Sequence, residues 1–214
     1  MSYGFAVERL RQLPSDAKVR IFNDETRACE RGVKTLFSLL LEARSEQSAA
    51  AAEIPELGHG MESLVAYNSA ADKHFFETFY APEIYADGIV TALYALNSSF
   101  AQRVCGLTEK AVLKLKAGTT VTPGERSFHE VICALRSHIS HFHEHALTVR
   151  IEDAPSVATA ALEVLRDVSS ESAFDTMASS YVLERITDSD FDRLMRFQYS
   201  IGPDLIRQAV VPRP

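Results

Sequence analysis

Apolar residues recur at helical spacing along nearly all of this 214-residue chain, and that periodicity leaves few folds open. Short alternating runs of β-branched residues bounded by turns, the mark of strands, are nearly absent. A first helix is predicted over Tyr3 to Gln12, stopping at Pro14. A long second runs from about Ala17 to Ala52, with Val33, Leu36, Phe37, Leu40 and Leu41 as its stripe. Pro55, Gly58 and Gly60 then mark a loop. A third helix covers Met61 to Tyr80. A fourth starts at Pro82, where a first-turn proline is tolerated, and runs to about Cys105. Thr108 caps a short helix over Glu109 to Lys116. Thr122-Pro123-Gly124-Glu125 is the clearest start signal: a capping Thr, Pro at the first helical position and Glu three residues on. The helix it opens reaches about Arg150. Two or three more are expected, around 156–170, 172–186 and 189–209, the last opened by Thr187-Asp188-Ser189-Asp190. The expected fold is all-α: one domain over 1–214, a bundle of about seven helices, with a helical core over about 17–150 and acidic C-terminal helices over 151–210.

Composition closes off other classes. Cys29, Cys105 and Cys133 are odd in number and widely spaced, so neither a disulfide framework nor a cysteine zinc site is expected. The N-terminal MSYGFAVERLRQLP carries charge where a signal peptide is apolar, and no apolar run approaches the ~18–20 residues of a membrane span. A cytoplasmic protein without a membrane partner is the expectation. The net charge of −7 argues against a general nucleic-acid coat. That charge is uneven: residues 151–192 hold ten acids and two bases, and the rest holds 19 acids and 20 bases. The acidic stretch reads as a solvated face or as a docking surface for a basic protein partner.

Five of the seven histidines lie between His129 and His145. In the same segment Phe128, Val131, Ile132, Leu135, Ile139, Phe142, Ala146 and Val149 fall on one arc at ~100° per residue, so that face is expected in the core. The histidines read as lying off that arc. His138, His141 and His145 share one flank; His129, Arg136 and His143 share the other. The plain reading is a polar, histidine-rich surface on a non-catalytic helical interaction module, and two chemical readings compete with it.

The first is a metal site. His138, His141 and His145 stack at i, i+3 and i+7, and neutral imidazoles one turn apart are a common zinc pair. His74 on the third helix is a third ligand available from elsewhere. The pairing of His141 and His145 with a distant His resembles the DinB-like metal-binding bundles, which implies bound Zn. His-Glu-x-x-His does not occur, and the Glu-x-x-His at Glu56 to His59 falls in the Pro/Gly loop rather than on a helix, which disfavours a zincin and a di-iron bundle.

The second needs no metal or other cofactor. Leu135-Arg136-Ser137-His138-Ile139-Ser140-His141 resembles the signature of the HEPN superfamily: Arg, a polar residue directly after it, and His after four to six residues. The resemblance implies an all-α bundle with the motif late in the chain and metal-independent endoribonuclease activity that leaves a cyclic phosphate. It also implies a role as toxin or effector in toxin–antitoxin or anti-phage defence systems, with an antitoxin as partner. The chemistry suits the residues. A histidine titrates near neutral pH and can move the proton of a 2′-hydroxyl. A guanidinium matches the oxygens of a phosphorane. His141 is assigned to proton transfer, Arg136 to phosphate stabilisation, Ser137 to orientation, and His138 is a secondary candidate. Five residues apart is ~140° around a helix, so one site needs distortion, long reach or a second subunit. The resemblance implies the last of these, a homodimer through this helix with the two motifs facing each other. Ser137 stands where the family commonly has Asn, Asp or His. His143 stands where some toxins carry a modifiable Tyr.

Phe75, Phe76, Phe79, Tyr80, Ile84 and Tyr85 form the most aromatic stretch and read as helical core, with an RNA-stacking platform as the alternative. Cys105 and Cys133 read as small core residues. Asp72, Glu77 and Glu130 read as surface charge, with a helper role at either site as the alternative.

Overall fold

A computed structural model describes residues 3–56, 58–117, 128–147 and 178–210, with side chains described except at 3–6, 76, 128, 141–147 and 210. Every regular element among these residues is helical, as the periodicity requires. In chain order they are α1 (Tyr3–Arg11), α2 (Ser15–Ala52), α3 (Met61–Lys73), a π-helical turn (His74–Thr78), α4 (Ala81–Ala95), α5 (Ser98–Arg103), α6 (Glu109–Lys116), α7 (Phe128–Leu147), α8 (Ala178–Leu183), α9 (Asp188–Ser200) and α10 (Gly202–Val210). The predicted Thr122 cap and the helix near 156–170 lie outside the described residues. So does the part of the 172–186 helix before Ala178.

The 38 residues of α2 reach roughly 57 Å at 1.5 Å per residue, long enough to serve two apolar clusters. In the larger cluster Val33 and Leu40 of α2 meet Ile89, Val90 and Leu93 of α4, Val131 and Leu135 of α7, Val182 of α8 and Leu194 of α9. In the smaller, Phe22 of α2 packs edge-on against Phe100 of α5 with ring centroids 5.2 Å apart. Val104, Val112, Ile201 and Leu205 complete it. Burying such side chains contributes ~1.5–3 kcal/mol each. Cys105 belongs to this second cluster, and all three cysteines are free thiols.

The predicted fourth helix is two helices. Leu96 is extended and Asn97 left-handed (φ 69°), so the chain breaks between α4 and α5 although the apolar period continues. Asparagine tolerates this conformation better than most residues. Here it is held by buried polar contacts: Thr26 Oγ1 donates to Asn97 Oδ1 (3.1 Å), and Asn97 Nδ2 donates to Gln198 Oε1 (3.1 Å) and to its carbonyl (3.2 Å). The predicted last helix also divides, at Ile201, ahead of Gly202-Pro203. Two predicted caps are in place. Thr108 accepts from the Ala111 amide (3.4 Å), and Thr187 and Asp190 form a reciprocal capping box.

Polar groups tie α8 to the long helices. Both Glu83 oxygens accept from backbone amides, those of Ser179 and Ser180, at 2.9 Å. Arg44 donates to Ser180 Oγ (2.9 Å) and pairs with Glu184. One turn along α4, Asp87 is pushed up to about 6 by burial and, to a lesser degree, by the neighbouring Glu83 charge. No described helix is long and apolar enough to cross a membrane.

Candidate functional site on the histidine-rich helix

α7 packs on α4, and its buried side is wider than its apolar stripe. Val131, Ile132, Ala134 and Leu135 are buried, as the spacing predicts. So are Ser137 and His138, at 7% and 5% exposure, which corrects the expectation of a polar histidine surface at this level. For His138 the reason is angular: it stands only ~20° from Val131 around the helix, at the margin of the apolar arc rather than clear of it. Ser137 is covered although it lies ~120° from Val131, nearly opposite the middle of the stripe. Both side chains are covered rather than open to solvent. Ser137 Oγ is buried with no hydrogen-bond partner among the described residues.

Arg136 is exposed on the other side of α7. Its guanidinium carbon lies 5.0 Å from the centroid of the Tyr94 ring, within cation–π range. No carboxylate among the described residues forms an ion pair with it. The tyrosine is itself fixed: its hydroxyl donates to Glu109 Oε1 at 2.5 Å. Burial and then Glu109 push the phenol up to about 12, so it stays protonated.

Near this pair lies a group of covered polar side chains that sequence patterns did not assemble. Lys116, the last residue of α6, is 2% exposed. Its Nζ donates to the carbonyls of Leu96 (2.5 Å) and Tyr94 (3.3 Å), capping the end of α4 where the chain breaks. Burial lowers its pKa to about 8. His129 and Cys133 stand one turn apart on α7, with Cys133 Sγ 3.3 Å from His129 Nε2. Burial, then the nearby Lys116 charge, holds His129 down to about 4. Burial pushes the Cys133 thiol up to about 11. Both shifts oppose a thiolate–imidazolium pair. Cys133 is thus a packed thiol beside a neutral imidazole rather than an activated nucleophile.

His141 and His145 lie on α7, and their side chains are outside the described ones. His74 belongs to the π-helical turn, where its ring meets Phe79 edge-on at 6.1 Å and its carbonyl accepts from Thr78 Oγ1 (2.8 Å). That turn packs on α2, α3 and α4. Among the described residues no three His, Cys, Asp or Glu side chains converge as a metal site; of the set His74, His138, His141 and His145, only His74 and His138 have described side chains. Sequence reasoning named Arg136 and missed Tyr94, Glu109 and Lys116. The one available signal was a lysine ending a short capped helix just before a loop.

No protein-family model matches this sequence, and no curated protein or solved structure is significantly similar to it.

Proposed function

We propose that this chain is a HEPN-like, metal-independent endoribonuclease in which Arg136 binds the scissile phosphate and His141 moves the proton. The observation that carries this reading is the state of Arg136: exposed, braced on the Tyr94 ring, and without a carboxylate partner among the described residues. A guanidinium pre-ordered by a ring, with no carboxylate paired to it among the described residues, suits a phosphate oxygen pair. Residues 105–150 carry six bases against four acids, so this part of the chain is not acidic despite the net charge. Arg136 and His141 diverge by ~140° on one helix, and a homodimer through α7 lets the His141 of one protomer complement the Arg136 of the other. A role as toxin or effector in a toxin–antitoxin or anti-phage system goes with this reading. The acidic stretch 151–192 is its docking surface for an antitoxin or other basic protein.

The test is cleavage of total RNA in EDTA. Wild type is expected to cleave, and Arg136→Ala and His141→Ala each to lose activity by about 10²-fold or more. Retained cleavage in both variants sinks the proposal. Tyr94→Leu is expected to weaken RNA affinity by removing the brace, without abolishing turnover.

A further inference from the structure

α3 is turned inside out. With Met61 as origin and ~100° per residue, Leu64, Val65, Asn68, Asp72 and Phe75 all fall within about 60° of it. All six positions are exposed. The opposite arc carries Ser63, Tyr67, Ala70 and His74, which are only partly covered, and α3 has no buried residue at all. A helix on a globular core normally turns its large apolar side chains inward. Here Met61 is 74% and Val65 61% exposed. The stripe continues past α3: the Phe75 and Tyr80 rings lie 5.8 Å apart, and Ile84, one turn after Tyr80, is 67% exposed. This corrects the core expectation for Phe75, Tyr80 and Ile84, whereas Phe79 and Tyr85 are partly covered, Tyr85 against the larger cluster. Exposed apolar side chains gathered on one face, here interrupted by Asn68 and Asp72, mark an interaction site.

The charge around the stripe selects its occupant. Residues 53–84 hold six acids and one base, and that base, Lys73, is already paired with Glu53 at 3.1 Å. An open groove of about 610 Å³ beside α3 is lined by Glu53, Asp72, Lys73 and Glu77. Nucleic acid and anionic membrane are repelled by such a rim. A second copy meeting the same face sets acid against acid. We infer that this face docks a basic amphipathic helix of a partner protein. Its apolar side lies along Met61, Val65 and Phe75, and its lysines or arginines face Glu62, Asp72 and Glu77. The surface is separate from Arg136 and does not depend on the nuclease reading.

The probe is a labelled peptide of about 20 residues with leucines at i, i+3, i+4 and i+7 and lysines elsewhere, read by fluorescence anisotropy against the full chain. A scrambled peptide of the same composition is the control. The amphipathic peptide is expected to bind about tenfold or more tighter than the scramble, and Val65→Arg to remove that advantage. Glu62→Gln with Asp72→Asn is expected to weaken binding several-fold and flatten its salt dependence. Both variants alter exposed side chains and are expected to keep the wild-type circular dichroism. Equal binding of the two peptides, or full binding by Val65→Arg, overturns the inference. A wild-type dimer that Val65→Arg converts to monomer in light scattering also overturns it, by giving the face to a second copy.

Discussion

Replacing Gly202 by alanine tests whether the smaller apolar cluster is as tightly closed as its geometry implies. A Cβ at Gly202 would stand 2.5 Å from two carbons of the Phe22 ring and 2.9 Å from a third. Carbon atoms pack best at ~3.5–4.0 Å, so ring or backbone must move by about 1 Å. The ring has little room. Phe22 is 1% exposed and lies edge-on to Phe100. Overpacking of this kind costs ~1–3 kcal/mol. The helix propensity gained by removing a glycine, ~0.5–1 kcal/mol in a helix interior, is small at the first residue of α10. The net loss is then ~1–2 kcal/mol, or a melting temperature lower by about 2–8 °C for a chain of this size. Thermal unfolding followed by circular dichroism measures it. Phe22→Leu removes the far edge of the ring, so the double variant should lose less than the two single losses combined, with a coupling of ~1 kcal/mol. Gly202→Ala melting at or above wild type, or strict additivity in the cycle, would refute the reasoning.

Asp87→Asn should change how stability depends on pH. The folded carboxyl value, about 6, lies above the ordinary 3.8, so the folded state resists ionisation. That penalty is absent below about pH 4 and complete above about pH 6, so the variant should gain on wild type by ~1–2 kcal/mol across that window, allowing for partial exposure. His129 acts in the opposite direction over similar pH in both proteins, so the difference between their denaturation curves is the measured quantity. A difference that stays constant from pH 4 to 7 refutes it. Thr187→Ala removes the side chain that accepts from the Asp190 amide at 3.2 Å and should cost ~1 kcal/mol in denaturant unfolding, whereas Thr187→Ser should cost little. Equal losses in both would mean that the cap is not what holds the start of α9.

Much of the helix layout was legible because it is written in local chemistry. Pro14 ahead of α2, Thr108 ahead of α6 and the Thr187–Asp190 box ahead of α9 are short-range signals that work wherever the segment lies. The break at Asn97 was not legible. Its apolar neighbours keep helical period on both sides, and the conformation is fixed by Thr26, Lys116 and Gln198, distant in sequence. The candidate site divides in the same way. Arg136 was recognisable from its spacing to His141, but the partners that hold it come from α4 and α6. His138 is covered because the buried side extends past the narrow apolar stripe, and Ser137 is covered on the far side of the helix, which periodicity cannot show.

By itself the sequence determined the fold class, most of the helix starts and the position of Arg136 on α7, since these depend on periodicity and capping within a few residues. Only the tertiary structure decided which polar residues are covered and which apolar residues are not. Burial depends on what packs against a helix, not on its own pattern. That is why His138 lies inside against expectation, and why Met61, Val65 and Phe75, apolar at helical spacing, remain open to solvent.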